Sequence, residues 1–270
     1  MKTKFFFLLM LLACSLQLMA QVRTANLTGN QIIGTWKMLA QTGIGEDGTA
    51  IKPDLTKVTQ YKIITPTHWM FVAYNSDSLK GGGEGGTYLL QGNKYVETLD
   101  WAKTEYTVKV EGDKFYQDGF IFYPDGKKVE LHEVYQRIEE SANATTPDVG
   151  TWNMTSYEIS RNGKKVQETG VTELEIVTPT HSMWVDKKDG KFWMAMISKY
   201  TKEGNKIMAT PLIASFPVDA KDKTDITSIT KGDQRTSNVK ITHGDGTTEE
   251  WNMVHQRVGK PKIVKAVLSK

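Results

Sequence analysis

The segment GTWKM, Gly34–Met38, returns later in the chain as GTWNM, Gly150–Met154. Two further landmarks repeat in the same order: ITPTHWM (Ile64–Met70) as VTPTHSM (Val177–Met183), and YQRIE (Tyr135–Glu139) as HQRVG (His255–Gly259). The tryptophans, histidines and arginines of the three pairs are offset by 116, 113 and 120 residues. Ordered landmarks at nearly constant spacing are the signature of an internal repeat, so the sequence predicts a duplicated domain.

Each copy is predicted to consist of β-strands. Short alternating runs are separated by hairpin-type turns such as Gly92-Asn93 and Asp125-Gly126, and helical periodicity is missing from the sequence. In the first copy the predicted strands are 35–42, 57–65, 68–75, 87–91, 94–101, 104–111, 114–123 and 128–138. The sequence therefore predicts an all-β protein of two tandem antiparallel up-and-down β-barrels, with about eight strands each.

The repeat also sets the domain boundaries. We expect a signal peptide at 1–20, a first barrel at 21–139, a polar linker at 140–148, a second barrel at 149–259 and a basic tail at 260–270. Lys2 and Lys4 precede the apolar run 5–13, which is typical of a signal peptide, here cleaved after Ala20. An alternative is a lipobox ending at Cys14, the single cysteine. The chain is thus expected to be exported, either periplasmic or secreted, or else lipid-anchored at Cys14.

Composition argues against several classes of protein. The 270 residues carry a formal net charge of only +3, and Lys is interspersed with acidic residues, so no nucleic-acid partner is expected. Apolar stretches of the mature chain, such as Phe192–Ile197, are too short to span a membrane. The sequence has no Gly-x-Ser-x-Gly or His-Glu-x-x-His motif, so we predict no catalytic residue, no cofactor, no metal ligand and no enzymatic activity.

Gly-x-Trp on the first strand, matched by Gln-Arg near the end of the last strand, resembles the signature of the lipocalins and the wider calycin superfamily. The chain is similar to secreted bacterial lipocalin-like domains of unknown function, here as two tandem copies, although a Thr-Asp-Tyr motif and a C-terminal helix are missing. The resemblance implies that the Trp closes one barrel end and that the Arg packs across its indole. The implied closure residues are Gly34, Trp36 and Arg137, and Gly150, Trp152 and Arg257.

Alternation along the strand after Thr-Pro-Thr assigns side chains to two faces. His68, Met70 and Tyr74 share one face, which we predict to point into the first barrel, as His181 and Met183 do in the second. Each histidine is either a turn-stabilising residue or a ligand contact, including haem iron. The opposite face carries Trp69 and Phe71, which are predicted to lie outside and to pack between the barrels or to meet a glycan or a protein partner.

Candidate ligand contacts are the inward residues and the run KFWMAMISKY, Lys191–Tyr200, which is apolar on both faces. They are His68, Met70, Tyr74, His181, Met183, Trp193 and Met196. The segment Ser78–Tyr88, rich in glycine, is predicted to be a mobile loop at a barrel end.

Two functions are compatible with the sequence. One is a non-enzymatic exported binding protein that holds a small hydrophobic or amphipathic molecule, such as a lipid, in a barrel. The other is a structural, adhesion or glycan-binding module whose barrels are filled by side chains. The two differ in whether the barrels are hollow, a volume that a sequence does not give.

Overall fold

The computed structural model describes residues 29–99, 102–139 and 146–259. The predicted signal peptide with Cys14, most of the predicted linker and the predicted basic tail lie outside the described residues. Within the described part, one short helix, α1 (Gly29–Ile32), precedes eighteen β-strands. No helix in this part of the chain is long and apolar enough to cross a membrane.

The first nine strands form a closed antiparallel barrel, which we name barrel 1. They are β1 (Gly34–Ile44), β2 (Ala50–Ile51), β3 (Val58–Ile64), β4 (His68–Asn75), β5 (Lys80–Gln91), β6 (Lys94–Glu97), β7 (Lys103–Glu111), β8 (Lys114–Phe122) and β9 (Lys128–Glu139). Strands β3 to β9 pair in sequence order, and β1 closes the sheet by pairing with both β3 and β9. The two-residue β2 only extends the edge of β1, so the closed wall has eight strands.

The second nine strands repeat this topology as barrel 2. They are β10 (Gly150–Arg161), β11 (Lys164–Val166), β12 (Val171–Val177), β13 (His181–Lys188), β14 (Lys191–Glu203), β15 (Lys206–Ala214), β16 (Lys223–Lys231), β17 (Gln234–Thr242) and β18 (Thr248–Arg257). Strand β10 closes the sheet by pairing with β12 and β18. The predicted fold, two tandem antiparallel barrels of eight strands, is confirmed.

The two barrels pack against each other through an apolar interface built from their outer faces. Its buried members are Tyr61, Ile63, Met70 and Val72 of barrel 1 and Ile176, Met183, Val185, Ala195 and Ile197 of barrel 2. The prediction that Met70 and Met183 point into the barrels is therefore wrong. Alternation separates two faces of a strand, but both faces are buried here, so apolar character does not tell which of them is enclosed by the barrel.

The glycine-rich segment is part of this interface. Gly81, Gly83 and Gly85 lie in β5, so the predicted mobile loop is wrong. A Cβ added at Gly81 would lie 2.5 Å from the Cα of Ser215, and one at Gly83 would lie 3.0 Å from the side chains of Ala195 and Val185. These glycines let barrel 2 approach the backbone of β5 closely, which is a common use of glycine inside a strand.

Candidate functional site

In each barrel a tryptophan of the first strand and an arginine of the last strand pack against each other. The Arg137 guanidinium lies 4.0 Å from the centre of the Trp36 ring, and the Arg257 guanidinium lies 4.1 Å from that of Trp152. Each indole Nε1–H donates to a main-chain carbonyl, from Trp36 to Ile32 O at 2.9 Å and from Trp152 to Asp148 O at 2.8 Å. Cation–π attraction of about 0.5–2 kcal/mol therefore adds to a fully buried ring in each copy.

The glycine two residues before each tryptophan is required by the local backbone and by the packing of the arginine. Gly34 and Gly150 have φ values of +146° and +148°, in the region that side chains rarely adopt. An added Cβ would collide with Nη1 of Arg137 or Arg257, which donates at 2.6 Å to Ile33 O or Val149 O. The Gly-x-Trp…Arg pattern is thus one packed unit in each barrel, and its role in closing the barrel end stays a prediction.

The repeated Thr-Pro-Thr-His segments are turns. In barrel 1, Thr65 Oγ1 accepts from the main-chain N–H of His68 at 3.0 Å, and the imidazole Nδ1 lies 2.8 Å from Thr67 Oγ1. In barrel 2, Thr178 and His181 form the same turn, also at 3.0 Å. Burial lowers the pKa of His68. Neither histidine lines the cavity described below.

His181 also links the two barrels. Its Nδ1 lies 2.7 Å from Oε2 of Glu139, the last residue of β9, and the Thr178 hydroxyl donates to the same oxygen. Burial opposes ionisation of Glu139, but the hydrogen bonds from His181 and Thr178 outweigh it and lower the pKa of this carboxyl. This buried clasp gives His181 a structural contact at the junction of the barrels.

The interior of barrel 1 is filled by side chains. Trp69 is 1% exposed and, with Phe71, packs in the same cluster as Trp36, Phe115 and Tyr135. The prediction that Trp69 and Phe71 lie outside, available to a glycan or a protein partner, is therefore wrong. The reason is the same reversal of faces that places Met70 between the barrels.

A buried polar network completes the filling of barrel 1. The Lys62 ammonium is ion-paired with Glu97 and donates to Gln117 Oε1 at 2.9 Å, while Gln117 Nε2 donates to Glu133 Oε2 at 3.0 Å. The Lys62 nitrogen also lies 5.1 Å from the centre of the Trp69 ring. Barrel 1 thus carries its own cation inside an aromatic and acidic core.

Barrel 2, in contrast, encloses a cavity of about 580 Å³. Smaller residues stand at interior positions that are bulky in barrel 1: Ser182 for Trp69, Ser228 for Val108, Ser237 for Gln117 and Ala209 for Glu97. Apolar walls come from Trp184, Met194, Met196, Ile207, Val239 and Ile241. A volume of this size is typical of a site for a small organic ligand.

Strands β15 and β16 diverge beside the cavity. These strands pair only at Lys206–Thr227 and Ile207–Ile226, and the loop 215–222 lies beyond them. Ala209, Pro211 and Thr224 line the cavity beside this gap. Phe216 of the loop stacks on Trp184 with ring centres 5.9 Å apart.

Charged side chains line the cavity near Trp152. Arg235 is ion-paired with Glu175, and its guanidinium lies 4.9 Å from the centre of the Trp152 ring. His255 Nε2 lies 2.6 Å from Glu173 Oε1. Asp186 is buried beside Glu173 and is not among the lining residues. Burial and the neighbouring carboxylates Glu173 and Glu175 raise the pKa of Asp186 to about 9, so this acid holds a proton at neutral pH.

The predicted ligand contacts are largely separate from this cavity. Met196 lines it, whereas His68, Met70, Tyr74, His181, Met183 and Trp193 do not. Trp193 lies under the Lys188 ammonium at 5.1 Å, and Tyr74 shares the strand face of Met70. The sequence analysis missed Glu173, Glu175 and Asp186, because acids that alternate with apolar residues are typical of a solvent-facing strand. Ligand contact by Met196 stays a prediction.

Two of the missed acids, together with His255, also have a geometry relevant to metal binding. Potential ligand atoms of Glu173, Glu175 and His255 all lie within 4.8 Å of one another. Carboxylate and imidazole are ligands that zinc and similar divalent ions accept. The pairing of Glu175 with the Arg235 cation competes with any such ion.

Comparisons with known proteins found similarity only among solved structures. No family model and no curated protein matches the chain. A protein of unknown function of the DUF3598 family from Nostoc punctiforme PCC 73102 is 10% identical, with 84% of this chain and 97% of that chain covered and a TM-score of 0.29. Transferrin binding protein B from serogroup B Neisseria meningitidis is 10% identical, with 84% and 44% covered and a TM-score of 0.28.

A third match is a putative AttH from Nitrosomonas europaea, which is 7% identical, with 88% of this chain and 96% of that chain covered and a TM-score of 0.24. At these TM-scores the likeness carries no argument about function.

Proposed function

We propose that this chain is an exported lipocalin-like binding protein, without enzymatic activity, that holds one small amphipathic molecule in barrel 2. The observation that carries the proposal is the cavity of about 580 Å³, with apolar walls and a polar interior end. Burying the apolar part of a ligand there is favourable by about 25 cal/mol per Å² of area removed from water.

The contrast between the copies supports different roles for the two barrels. Barrel 1 is packed with aromatic side chains and a buried polar network, which favours a structural role. Barrel 2 has serines and an alanine where barrel 1 is bulky, so its core lacks the packing that would fill it. An unfilled volume of this size costs stability, and a bound ligand would offset that cost. The alternative module with two side-chain-filled barrels is not favoured by this contrast.

The proposal can be tested with a neutral apolar dye, N-phenyl-1-naphthylamine. We expect wild-type protein to bind it at about one site and to enhance its fluorescence. Ala209→Trp adds an indole inside the cavity, so we expect at least a tenfold loss of affinity. Thr236→Trp adds the same indole on the outer face of β17 and serves as the matched control.

Two results would contradict the proposal: no dye binding by the wild type, or equal binding by the Ala209→Trp and Thr236→Trp variants. Native mass spectrometry of protein purified from its producing cells, followed by organic extraction, would identify the natural ligand. The same sample tests export, because cleavage after Ala20 and lipidation at Cys14 give different masses for the mature chain.

A further inference from the structure

Barrel 1 shows which side chain fills the space that is left open in barrel 2. Ser182 follows the histidine of its Thr-Pro-Thr-His turn just as Trp69 follows that of barrel 1. The partner of Trp69 in β5 is Gly86, and the equivalent partner in β14 is Ser198. The Trp69 indole is buried inside barrel 1, whereas Ser182 lines the cavity of barrel 2. The side chain of Trp69 therefore marks a volume that barrel 2 leaves open to a ligand.

The Trp69 indole lies flat against a second ring. Its plane is within 9° of that of Phe71, and the ring centres are 6.1 Å apart. The counterpart of Phe71 in barrel 2 is Trp184, which stands two residues after Ser182 and lines the cavity. An aromatic ring at the place of the missing indole would therefore stack on Trp184. Such stacking adds attraction beyond the burial of apolar area.

The ring of Phe216 contacts Trp184 from the other side. Its centre lies 5.9 Å from that of Trp184. The loop that carries Phe216 starts at Ser215, whose hydroxyl accepts from the main-chain N–H of Ala195 at 2.8 Å. Ala195 pairs with the residue after Trp184, farther along the strand from Ser182. The stacking position beside Ser182 is therefore free for a ligand.

The cavity has a hydrogen-bond acceptor near the place where the indole carries its N–H. In barrel 1, Nε1–H of Trp69 donates to Thr87 O at 3.2 Å, and a Cβ added at Gly86 would lie 3.8 Å from this nitrogen. Ser198, at the position equivalent to Gly86, carries that Cβ and a hydroxyl beyond it. Ser198 lines the cavity, and its buried Oγ has no hydrogen-bond partner in the described part of the chain. A ring N–H from a ligand would give this hydroxyl a partner.

Arg235 favours an aromatic ring over an aliphatic chain. It lines the cavity, and among the described residues its buried Nε–H has no hydrogen-bond partner. Its guanidinium is ion-paired with Glu175, and the Ser182 hydroxyl donates to the other oxygen of the same carboxylate at 2.6 Å. Arg235 is therefore held close to the missing indole. A guanidinium has donors only, and the face of an aromatic ring attracts cations and accepts N–H groups, whereas an alkyl chain does neither.

The cavity is larger than the missing indole alone. Ser228, Ser237 and Ala209 also stand in place of larger interior residues of barrel 1. The space of about 580 Å³ therefore has room for a fused ring that carries a substituent.

We propose that barrel 2 binds a planar fused-ring aromatic molecule with a ring N–H, of the indole class, whose ring takes the place that Trp69 fills in barrel 1. This inference rests on the proposed function, since it names the class of ligand for the same cavity. The ring stacks on Trp184, its N–H donates to Ser198 Oγ, and its face meets the Arg235 guanidinium. A saturated hydrocarbon of the same size makes none of these contacts.

The experiment compares three compounds with the same fused six- and five-membered ring skeleton: indole, indene and octahydroindene. Their affinities for wild-type protein at pH 7 are measured by displacement of N-phenyl-1-naphthylamine. Octahydroindene is saturated and the most apolar, so burial of apolar area alone would make it the tightest ligand. We expect indene to bind at least fivefold more tightly than octahydroindene, and indole at least threefold more tightly than indene. This comparison needs no variant, so it holds even if a substitution prevents folding.

Variants then locate the ring. Ser182→Trp places the barrel 1 residue in barrel 2, so indole affinity should fall at least tenfold, while the melting temperature stays equal or rises because the indole fills a cavity. Thr236→Trp, on the outer face of β17, is the matched control and should leave indole affinity unchanged. Ser198→Ala should bring indole to within about twofold of indene, with the affinity for indene unchanged. A thermal melt of each variant verifies that it is folded.

The outcomes separate the two proposals. If neither the dye nor any of the three ring compounds binds, the proposed function fails. If octahydroindene binds as tightly as indene or more tightly, the cavity is a ligand site but the aromatic inference is overturned. It is also overturned if a folded Ser182→Trp variant binds indole as the wild type does. If indole binds no more tightly than indene, the N–H contact with Ser198 is refuted.

Discussion

Replacing Trp36 by alanine tests whether the tryptophan–arginine unit holds barrel 1 together. Trp36 is 0% exposed, its ring centre lies 5.2 Å from that of Phe115, and Arg137 covers its outer side at 4.0 Å. Truncating a buried Trp to Ala costs about 3–5 kcal/mol because a cavity remains. The lost hydrogen bond to Ile32 O and the lost cation–π contact add about 1–2 kcal/mol.

Unfolding free energies of whole domains are about 5–15 kcal/mol, so Trp36→Ala should leave barrel 1 marginal or unfolded. The assay is urea unfolding combined with hydrogen exchange, read separately for peptides of β1 and of β10, because the two barrels can unfold in separate steps. Trp36→Phe, which retains a buried ring, should cost about 1–2 kcal/mol, mainly for the unpaired Ile32 carbonyl.

Leu89→Ala provides the matched control in the same barrel. Leu89 is 66% exposed, so its truncation should change stability by no more than about 0.5 kcal/mol. If Trp36→Ala changes the unfolding free energy of barrel 1 by less than 1 kcal/mol, as the control does, the closure role of the indole is refuted.

Three further predictions concern the interface and two buried acids. Gly81→Ala should destabilise barrel docking, seen as faster hydrogen exchange in β5 and β14, whereas Gly82→Ala, with open space at its Cβ, should not; equal exchange in both variants would contradict the close-packing role. The pKa of Glu139 is lowered on folding, so its stabilisation is present above the ordinary value of 4.5 and is lost as pH falls through the lower folded pKa. Glu139→Gln should flatten this acid-side loss in urea titrations, and an unchanged pH profile would argue against the clasp with His181. The pKa of Asp186 is raised on folding, so stability should fall as pH rises from about 3.8 to about 9, where only the unfolded chain releases this proton. Asp186→Asn keeps a donor toward the neighbouring carboxylate and should remove that decline, which a set of thermal melts from pH 4 to pH 9 would measure.

Much of the fold could be predicted because its signals are local. Gly34 and Gly150 need a positive φ beside a tryptophan, and the turns at Thr65 and Thr178 use the same hydroxyl-to-backbone bond in both copies. These requirements recur in the chain at nearly constant spacing, so the repeat and its strands are visible without a structure. The glycine-rich β5 is the exception, because its glycines are required by the close approach of the neighbouring barrel and not by the conformation of their own backbone.

The candidate site was largely hidden for a related reason. Met70 and Met183 are apolar, as expected for a face inside a barrel, yet they fill the space between the barrels. Glu175 is charged, as expected for a solvent-facing strand, yet it lines the cavity of barrel 2. The cavity in barrel 2 results from several smaller residues together, such as Ser182 in place of Trp69, and no single one of these replacements predicts it. Met196 was found because the run around it is apolar on both faces.

The duplication, the all-β architecture and the paired Gly-x-Trp and Arg positions can be read from the amino-acid order, since they follow from spacing, turn chemistry and alternation within each copy. The folded arrangement was needed to establish which face of each strand is enclosed, that barrel 1 is filled while barrel 2 is hollow, and that Glu173, Asp186 and His255 lie together. The physical reason is that docking of the barrels buries a second apolar face, and a period of two cannot distinguish two buried faces from each other.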